Sequence, residues 1–390
     1  MLKRKAEKHL SELISYFPVV AIVGPRQVGK TTLAKLLIKK INKPSIYLDL
    51  ELNSDYNKLL DAQIFLEQYQ DKCVIIDEVQ RMPELFPLLR ALIDKKRVPA
   101  RFLLLGSASP DLIRDSSESL AGRIAYQELT PFNLTEIKNK TNANLLWLRG
   151  GFPDALLAPT SNLWQKWVDN FIKTYIEKDL PLLGLSASPI LTQRLWSMLA
   201  HYQGQELNYS KLAKALEISA PTVKLYIDFL EHAFLIRRLQ PYSANVKKRL
   251  VKSPKIYIRD SGLLHYLNAI HSYNDLFNNM LIGNSWEGYV IEQIAQLLPD
   301  TLKLFFYRTN DGSEIDLVFV KVNKVVATAE IKYTSAPSLS RGNTIAIADL
   351  NSKNNFIITN NSEDYLLKGN TRVCSLKAFL DVYIYLLDKK

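Results

Sequence analysis

Eight residues constrain this chain more than any others. Gly24-Pro25-Arg26-Gln27-Val28-Gly29-Lys30-Thr31 fit G-x-x-x-x-G-K-[ST] in full, between the apolar run Val19 to Val23 and the helical stretch Thr32 to Lys39. Such a loop needs each of its parts. The glycines let backbone N–H groups close around a phosphate chain, Lys30 adds a point charge at the β and γ positions, and the Thr31 hydroxyl ligates Mg2+. Gly24, Gly29, Lys30, Thr31 and Thr32 are therefore the expected nucleotide-binding residues, and ATP with Mg2+ the expected ligand.

A strand feeding such a loop is buried on both faces, and the region up to about Phe132 supplies four more short apolar runs: Ser45 to Asp49, Cys73 to Asp77, Phe102 to Gly106 and Ile124 to Glu128. Crossover-length helical segments separate them. The expected fold class is α/β, a parallel sheet with helices on both faces. The third run ends in Asp77-Glu78. Behind a phosphate loop, Asp77 is expected to hold Mg2+ and Glu78 to polarise the attacking water; a helix start is the plainer reading of the pair. Ser107, at the carboxyl edge of the sheet, is placed to reach the γ-phosphate or the water, or else to cap a helix. Arg123 either reaches the nucleotide of a neighbouring subunit or forms a surface salt bridge.

Lysine and arginine outnumber aspartate and glutamate by 50 to 39 in 390 residues, a formal net charge of +11 that favours partners carrying phosphate. The two cysteines, Cys73 and Cys374, make no disulfide framework or zinc-ribbon spacing, and the five histidines show no ligand-like pairing. A reducing compartment, the cytoplasm, is expected. The apolar stretch Phe17 to Val23 is far shorter than the roughly 20 residues that span a bilayer, so no membrane partner is expected.

These residues resemble the AAA superfamily of P-loop ATPases, in particular a bacterial and archaeal branch with an uncharacterised C-terminal domain. The resemblance rests on Gly24 to Thr32, Ile76-Asp77-Glu78-Val79-Gln80, Gly106 to Ser109, Leu120-Ala121-Gly122-Arg123, Gly150 to Pro153, Thr174 to Leu180 and Pro254 to Leu264. It implies an ATP-dependent, homo-oligomeric machine or switch.

From Glu206 onward the spacing is that of a helix-turn-helix: Tyr209 to Leu216, a turn at Glu217-Ile218-Ser219, then Ala220 to Leu230. Ser219 can cap the second helix, and Val223, Tyr226, Ile227 and Leu230 form its apolar stripe. Leu235 to Leu239 follows as a wing strand, and Arg237 to Lys255 holds seven basic and no acidic residues. A winged helix that binds nucleic acid, DNA first, is expected; a protein contact is its rival.

Strand patterns return at Leu304 to Tyr307, Ile315 to Val320, Val325 to Lys332 and Phe356 to Thr359. A three-residue loop at Val322-Asn323-Lys324 would set Asp316 opposite Glu330, and strand alternation puts Glu330 and Lys332 on one face. Glu314 shares the face of Asp316, and a helix at Trp286 to Glu292 could present Glu287 to the same place. The group resembles the P-D-(D/E)-x-K nuclease fold, without a proline before Asp316. The resemblance implies Asp316, Glu330 and Glu287 as ligands of a second Mg2+ and Lys332 as the catalytic cation. The expected division is an ATPase domain at 1–140, a helical linker or lid at 141–200, a winged helix at 201–258 and an α/β nuclease-like domain at 259–390. The expected function is ATP hydrolysis that drives a nucleic-acid-binding, DNA-cleaving half, or alternatively a non-cleaving switch.

Overall fold

The computed structural model describes residues 2–40, 43–107, 119–137, 141–182, 184–185, 187–243, 251–367 and 369–388. Ala108 and Ser109 of the Gly106 to Ser109 motif, and residues 244–250 of the basic run, lie outside them. The chain forms two compact units. One comprises Met1–Phe132, Glu177–Ser186 and Asp228–Phe234, the other Asn133–Ile176, Ala187–Ile227 and Leu235–Lys390.

In the first unit, β1 (Val19–Val23), β2 (Ser45–Asp49), β3 (Cys73–Asp77), β4 (Phe102–Gly106) and β5 (Ile124–Glu128) take the bounds read from the sequence. They form one parallel sheet in the order β2-β3-β4-β1-β5. Every residue of β1, β3 and β4 is buried, as expected of apolar strands covered on both faces. Helices α1 (Ala6–Tyr16), α2 (Lys30–Ile38) and α3 (Leu85–Lys95) accompany the sheet. One face packs Val19, Ala21, Ile76 and Leu104 against Phe86 and Leu89 of α3. Helix α2 starts two residues before its expected beginning, because Gly29 takes the left-handed conformation (φ 92°) and ends the loop there. The register sets Val23 beside Gly106 and Asp49 beside Asp77. The phosphate loop, Asp77 and Ser107 thus all leave the sheet at its carboxyl edge, where parallel α/β sheets bind ligands.

The second unit contains α4 (Pro189–His201) and α5 (Tyr209–Leu216), and α6 (Ala220–His232) begins in it. Thr222 N–H donates to the Ser219 hydroxyl at 3.2 Å, the expected cap, and Val223, Tyr226, Ile227 and Leu230 are all buried. β6 (Ile236–Leu239) pairs antiparallel with β7 (Lys255–Ile258), a strand that the local pattern did not reveal. Helix α7 (Ile282–Ala295) spans the expected segment.

A mixed six-stranded sheet follows, ordered β12-β13-β11-β10-β9-β8. Its strands are β8 (Leu302–Arg308), β9 (Glu314–Lys321), β10 (Lys324–Ile331), β11 (Asn355–Thr359), β12 (Tyr365–Leu367) and β13 (Thr371–Ser375), with α8 (Arg341–Asp349) between β10 and β11. The last two strands were not legible locally: β12 is short and exposed, and β13 is held by its pairing with β11. The β9–β10 hairpin corrects the expected three-residue loop. Its turn has two residues, Val322 (φ 45°) and Asn323 (φ 64°), which pair Lys321 with Lys324. That register alone would set Asp316 opposite Ala329. An irregularity between Val325 and Ala327 adds one residue, so that Ala329 faces Leu317 and the next pair along is Asp316 and Glu330.

Candidate functional site

The loop after β1 is closed by close backbone approach. Gly24 has φ 148°, and a Cβ there would stand 2.3 Å from the Leu129 carbonyl oxygen. Only glycine lets the chain turn there. Lys30 is buried and donates from Nζ to the carbonyls of Gly24 (3.0 Å) and Pro25 (2.9 Å), so its ammonium is held within the loop. Burial pulls its pKa down to about 8, against the charges of Glu78 and Asp77. Thr31 Oγ1 donates to Asp77 Oδ2 at 2.6 Å, joining the two residues expected at Mg2+. Thr32, in the first turn of α2, is exposed. A buried lysine, a hydroxyl and a carboxylate around an open-backed glycine loop are the donor set that a magnesium triphosphate requires, and these residues fit it.

Glu78 sits in the left-handed region (φ 54°), a strained conformation that turns its side chain off the end of β3. Burial raises its carboxyl pKa, opposed by Lys30, Arg26 and a hydrogen bond from Gln80. Gln80 Nε2 donates to Glu78 Oε2 and also approaches Ser107 Oγ at 3.4 Å. Ser107 is therefore connected to Glu78 through Gln80, while the segment it could cap lies outside the described residues. Arg123 is not brought to this cluster. It precedes β5 at the opposite, amino edge of the sheet and forms a forked ion pair with Asp94 of α3, at 2.7 and 3.0 Å. The surface salt bridge is thus the arrangement within this chain.

Like Gln80, three further residues of this cluster are not among those expected from the sequence. Tyr47 of β2 donates to Asp77 Oδ2 at 2.7 Å. Arg26 of the loop pairs with Asp179 and lies 3.7 Å from Glu51. Asp179 ends the π-helical turn Tyr175–Asp179. Burial raises the Asp179 carboxyl to about 6, with Arg26 opposing and Glu78 and Glu51 adding to the rise. The signal was present in the Thr174 to Leu180 motif, but nothing local ties position 179 to position 26.

The second unit holds a separate cavity of about 740 Å³ lined by Glu287 of α7, by Glu314 and Asp316 of β9 and by Glu330 of β10. The four carboxylates expected there do meet. So does Lys255 of β7, which the sequence reading left out. Its Nζ lies 2.7 Å from Glu314 Oε1, 3.1 Å from Glu287 Oε1 and 3.7 Å from Asp316 Oδ1. Tyr257 donates its hydroxyl to Glu287 Oε1 at 2.5 Å, and Ile331 N–H donates to Asp316 Oδ2 at 2.9 Å. Lys332 Nζ stands 3.6 Å from Glu330 Oε1, on the same face as expected. Burial works against a charge on Lys255, yet Glu287, Asp316 and Glu314 outweigh it and hold its pKa well above the usual value. Burial pushes Glu330 up to about 7, with Lys332 opposing and Glu287 adding to the rise.

The expectation that Glu287, Asp316 and Glu330 surround a second Mg2+ is corrected in one respect. The space between Glu287, Glu314 and Asp316 already receives an ammonium, which has no lone pair to offer a metal. Glu330 Oε2, in the same pocket, is buried without a hydrogen-bond partner. Among the described residues no helix is long and apolar enough to cross a membrane.

The family described as AAA domain matches residues 16–138, the stretch that holds the first unit's sheet and phosphate loop. Two domains of unknown function follow, DUF8612 at residues 140–274 and DUF4143 at residues 282–379. Uncharacterized proteins of Mycobacterium tuberculosis and Mycobacterium bovis are each 42% identical over 348 residues, covering 89% of this chain and 78% of their own length. Among solved structures, a Walker-type ATPase of Pyrococcus abyssi aligns at 16% identity with a TM-score of 0.47, covering 69% of this chain and 96% of its own.

Proposed function

Since this chain belongs to the same family as the two mycobacterial proteins and carries an AAA domain, we propose that it binds and hydrolyses magnesium ATP and uses the turnover to switch a nucleic-acid-binding C-terminal half. The observation that carries the first part is the direct contact of Thr31 Oγ1 with Asp77 Oδ2 beside the buried Lys30. The Gly24 to Thr31 backbone would wrap the phosphates, Lys30 would leave its two loop carbonyls for the β and γ oxygens, and Thr31 with Asp77 would hold Mg2+, whose charge would offset that of the phosphates. Glu78, kept in place by Gln80, accepts the proton of the attacking water. Ser107 donates from its hydroxyl to the same water or to the γ-phosphate.

Nucleic acid as the partner is supported by the net charge of +11 and by the α5–turn–α6 arrangement with an exposed Lys224 on α6. In a homo-oligomer, Arg123 would leave Asp94 for the neighbouring nucleotide. The proposed setting is the cytoplasm, a reducing compartment that suits the two free, buried cysteines Cys73 and Cys374. Of the two C-terminal readings, cleaving and non-cleaving, the Lys255 ammonium among the carboxylates favours the second. Nucleotide binding by calorimetry and turnover by phosphate release test the ATPase. Lys30→Ala should bind no ATP, and Glu78→Gln should bind it without hydrolysis; normal turnover by Glu78→Gln would remove that residue from its role. A salt titration of DNA binding tests the partner, since each neutralised phosphate steepens the log–log slope by about 0.9.

A further inference from the structure

We propose that Lys255 is the permanent cation of the carboxylate pocket, so that the pocket clasps strand β7 to the C-terminal sheet and takes no divalent metal. This stands apart from the ATPase reading, because all of its residues lie in the second unit.

Three observations carry it. The first is placement: Nζ reaches one oxygen each of Glu287, Glu314 and Asp316, from a side chain that is only 4% exposed. The second is that Lys255 cannot easily withdraw. Leu207 N–H donates to Pro254 O at 2.8 Å, Ile256 N–H donates to Gln205 O at 3.0 Å, and Gly204 N–H donates to Ile256 O at 2.8 Å, which fixes the backbone on both sides of it. Its ammonium also lies 5.5 Å from the centre of the Phe306 ring. The third is that the carboxylates around the ammonium have further partners suited to a clasp. Glu314 Oε2 faces Arg308 at 3.6 Å, Glu287 Oε1 accepts from Tyr257 as well as from Lys255, and Asp316 Oδ2 accepts from the backbone of β10, while Glu330 Oε2, outside the reach of Lys255, is buried without a hydrogen-bond partner. Mg2+ needs near-octahedral oxygens at about 2.1 Å, with several waters retained. An ion at that distance from Glu314 and Asp316 would press against the ammonium.

The test is Mn2+ binding to the full chain without nucleotide, followed by electron paramagnetic resonance, with folding checked by circular dichroism. Wild type, Asp316→Asn and Glu330→Gln should bind the same number of ions, because any site they share lies elsewhere. Lys255→Ala should gain one site, at least about tenfold tighter than any binding there in wild type. Lys255→Ala combined with Asp316→Asn should lose it again. A site lost from wild type on Asp316→Asn or Glu330→Gln would overturn the proposal, as would a folded Lys255→Ala that gains none. If Lys255→Ala does not fold, Lys255→Met replaces it, keeping the aliphatic stem, with the same two outcomes.

Discussion

Gln80 offers the sharpest test of the hydrolytic cluster. Its Nε2 donates to the Glu78 carboxylate and approaches Ser107, while its own Oε1 is buried without a hydrogen-bond partner. Gln80→Leu removes the donor and the unsatisfied oxygen together, so little stability should be lost. What is lost is a hydrogen bond to a carboxylate, worth about 1.5–3 kcal/mol. If that bond positions Glu78 only while the water is attacking, its loss appears wholly in kcat. At about 1.4 kcal/mol per tenfold, kcat should fall by roughly 10- to 150-fold. KM for ATP should stay near wild type, because Lys30, Thr31 and the loop carbonyls are untouched. Steady-state phosphate release measures both constants. An unchanged kcat, or a raised KM with kcat intact, would refute Gln80 as the residue that orients Glu78.

Two further outcomes are expected. The Glu292 carboxylate is buried, and although burial favours its neutral form, Arg237 and Arg259 depress its pKa to about 2 from 4.5. A carboxyl depressed on folding contributes stability above its unfolded pKa and loses it as pH falls through the folded one. Glu292→Gln should therefore cost about 3 kcal/mol near neutrality, and its difference from wild type in urea unfolding should shrink between pH 4.5 and 2; a constant difference would show that the two arginines do not set it. Mixing Arg123→Ala with Lys30→Ala subunits should recover part of the ATPase activity if Arg123 serves a neighbour's nucleotide, and no recovery at any ratio counts against sharing.

Much of the first unit was legible because its determinants are local. Five short apolar runs became five strands with the bounds read from the chain, the central three of them fully buried, and the loop pattern between Val23 and Lys30 set the position of the phosphate loop. Strand alternation likewise put Glu330 and Lys332 on one face. The pairing of Asp316 with Glu330 emerged by another route, a two-residue turn and an irregularity near Val326, because register depends on backbone defects that side-chain alternation does not record.

Residue types and their spacing set which chemistry the chain can carry: a phosphate loop, the acidic pair Asp77-Glu78, and carboxylates spaced to share a sheet face. The groups that stand opposite them come from folding. Arg26 meets Asp179 and Gln80 joins Glu78 to Ser107. Lys255, from a strand hidden in an ordinary-looking motif, fills the pocket of Glu287, Glu314 and Asp316. Periodicity fixes the face on which a side chain lies, but a charge acts through space over a few ångströms, and that distance is set by chain folding between residues up to 153 positions apart.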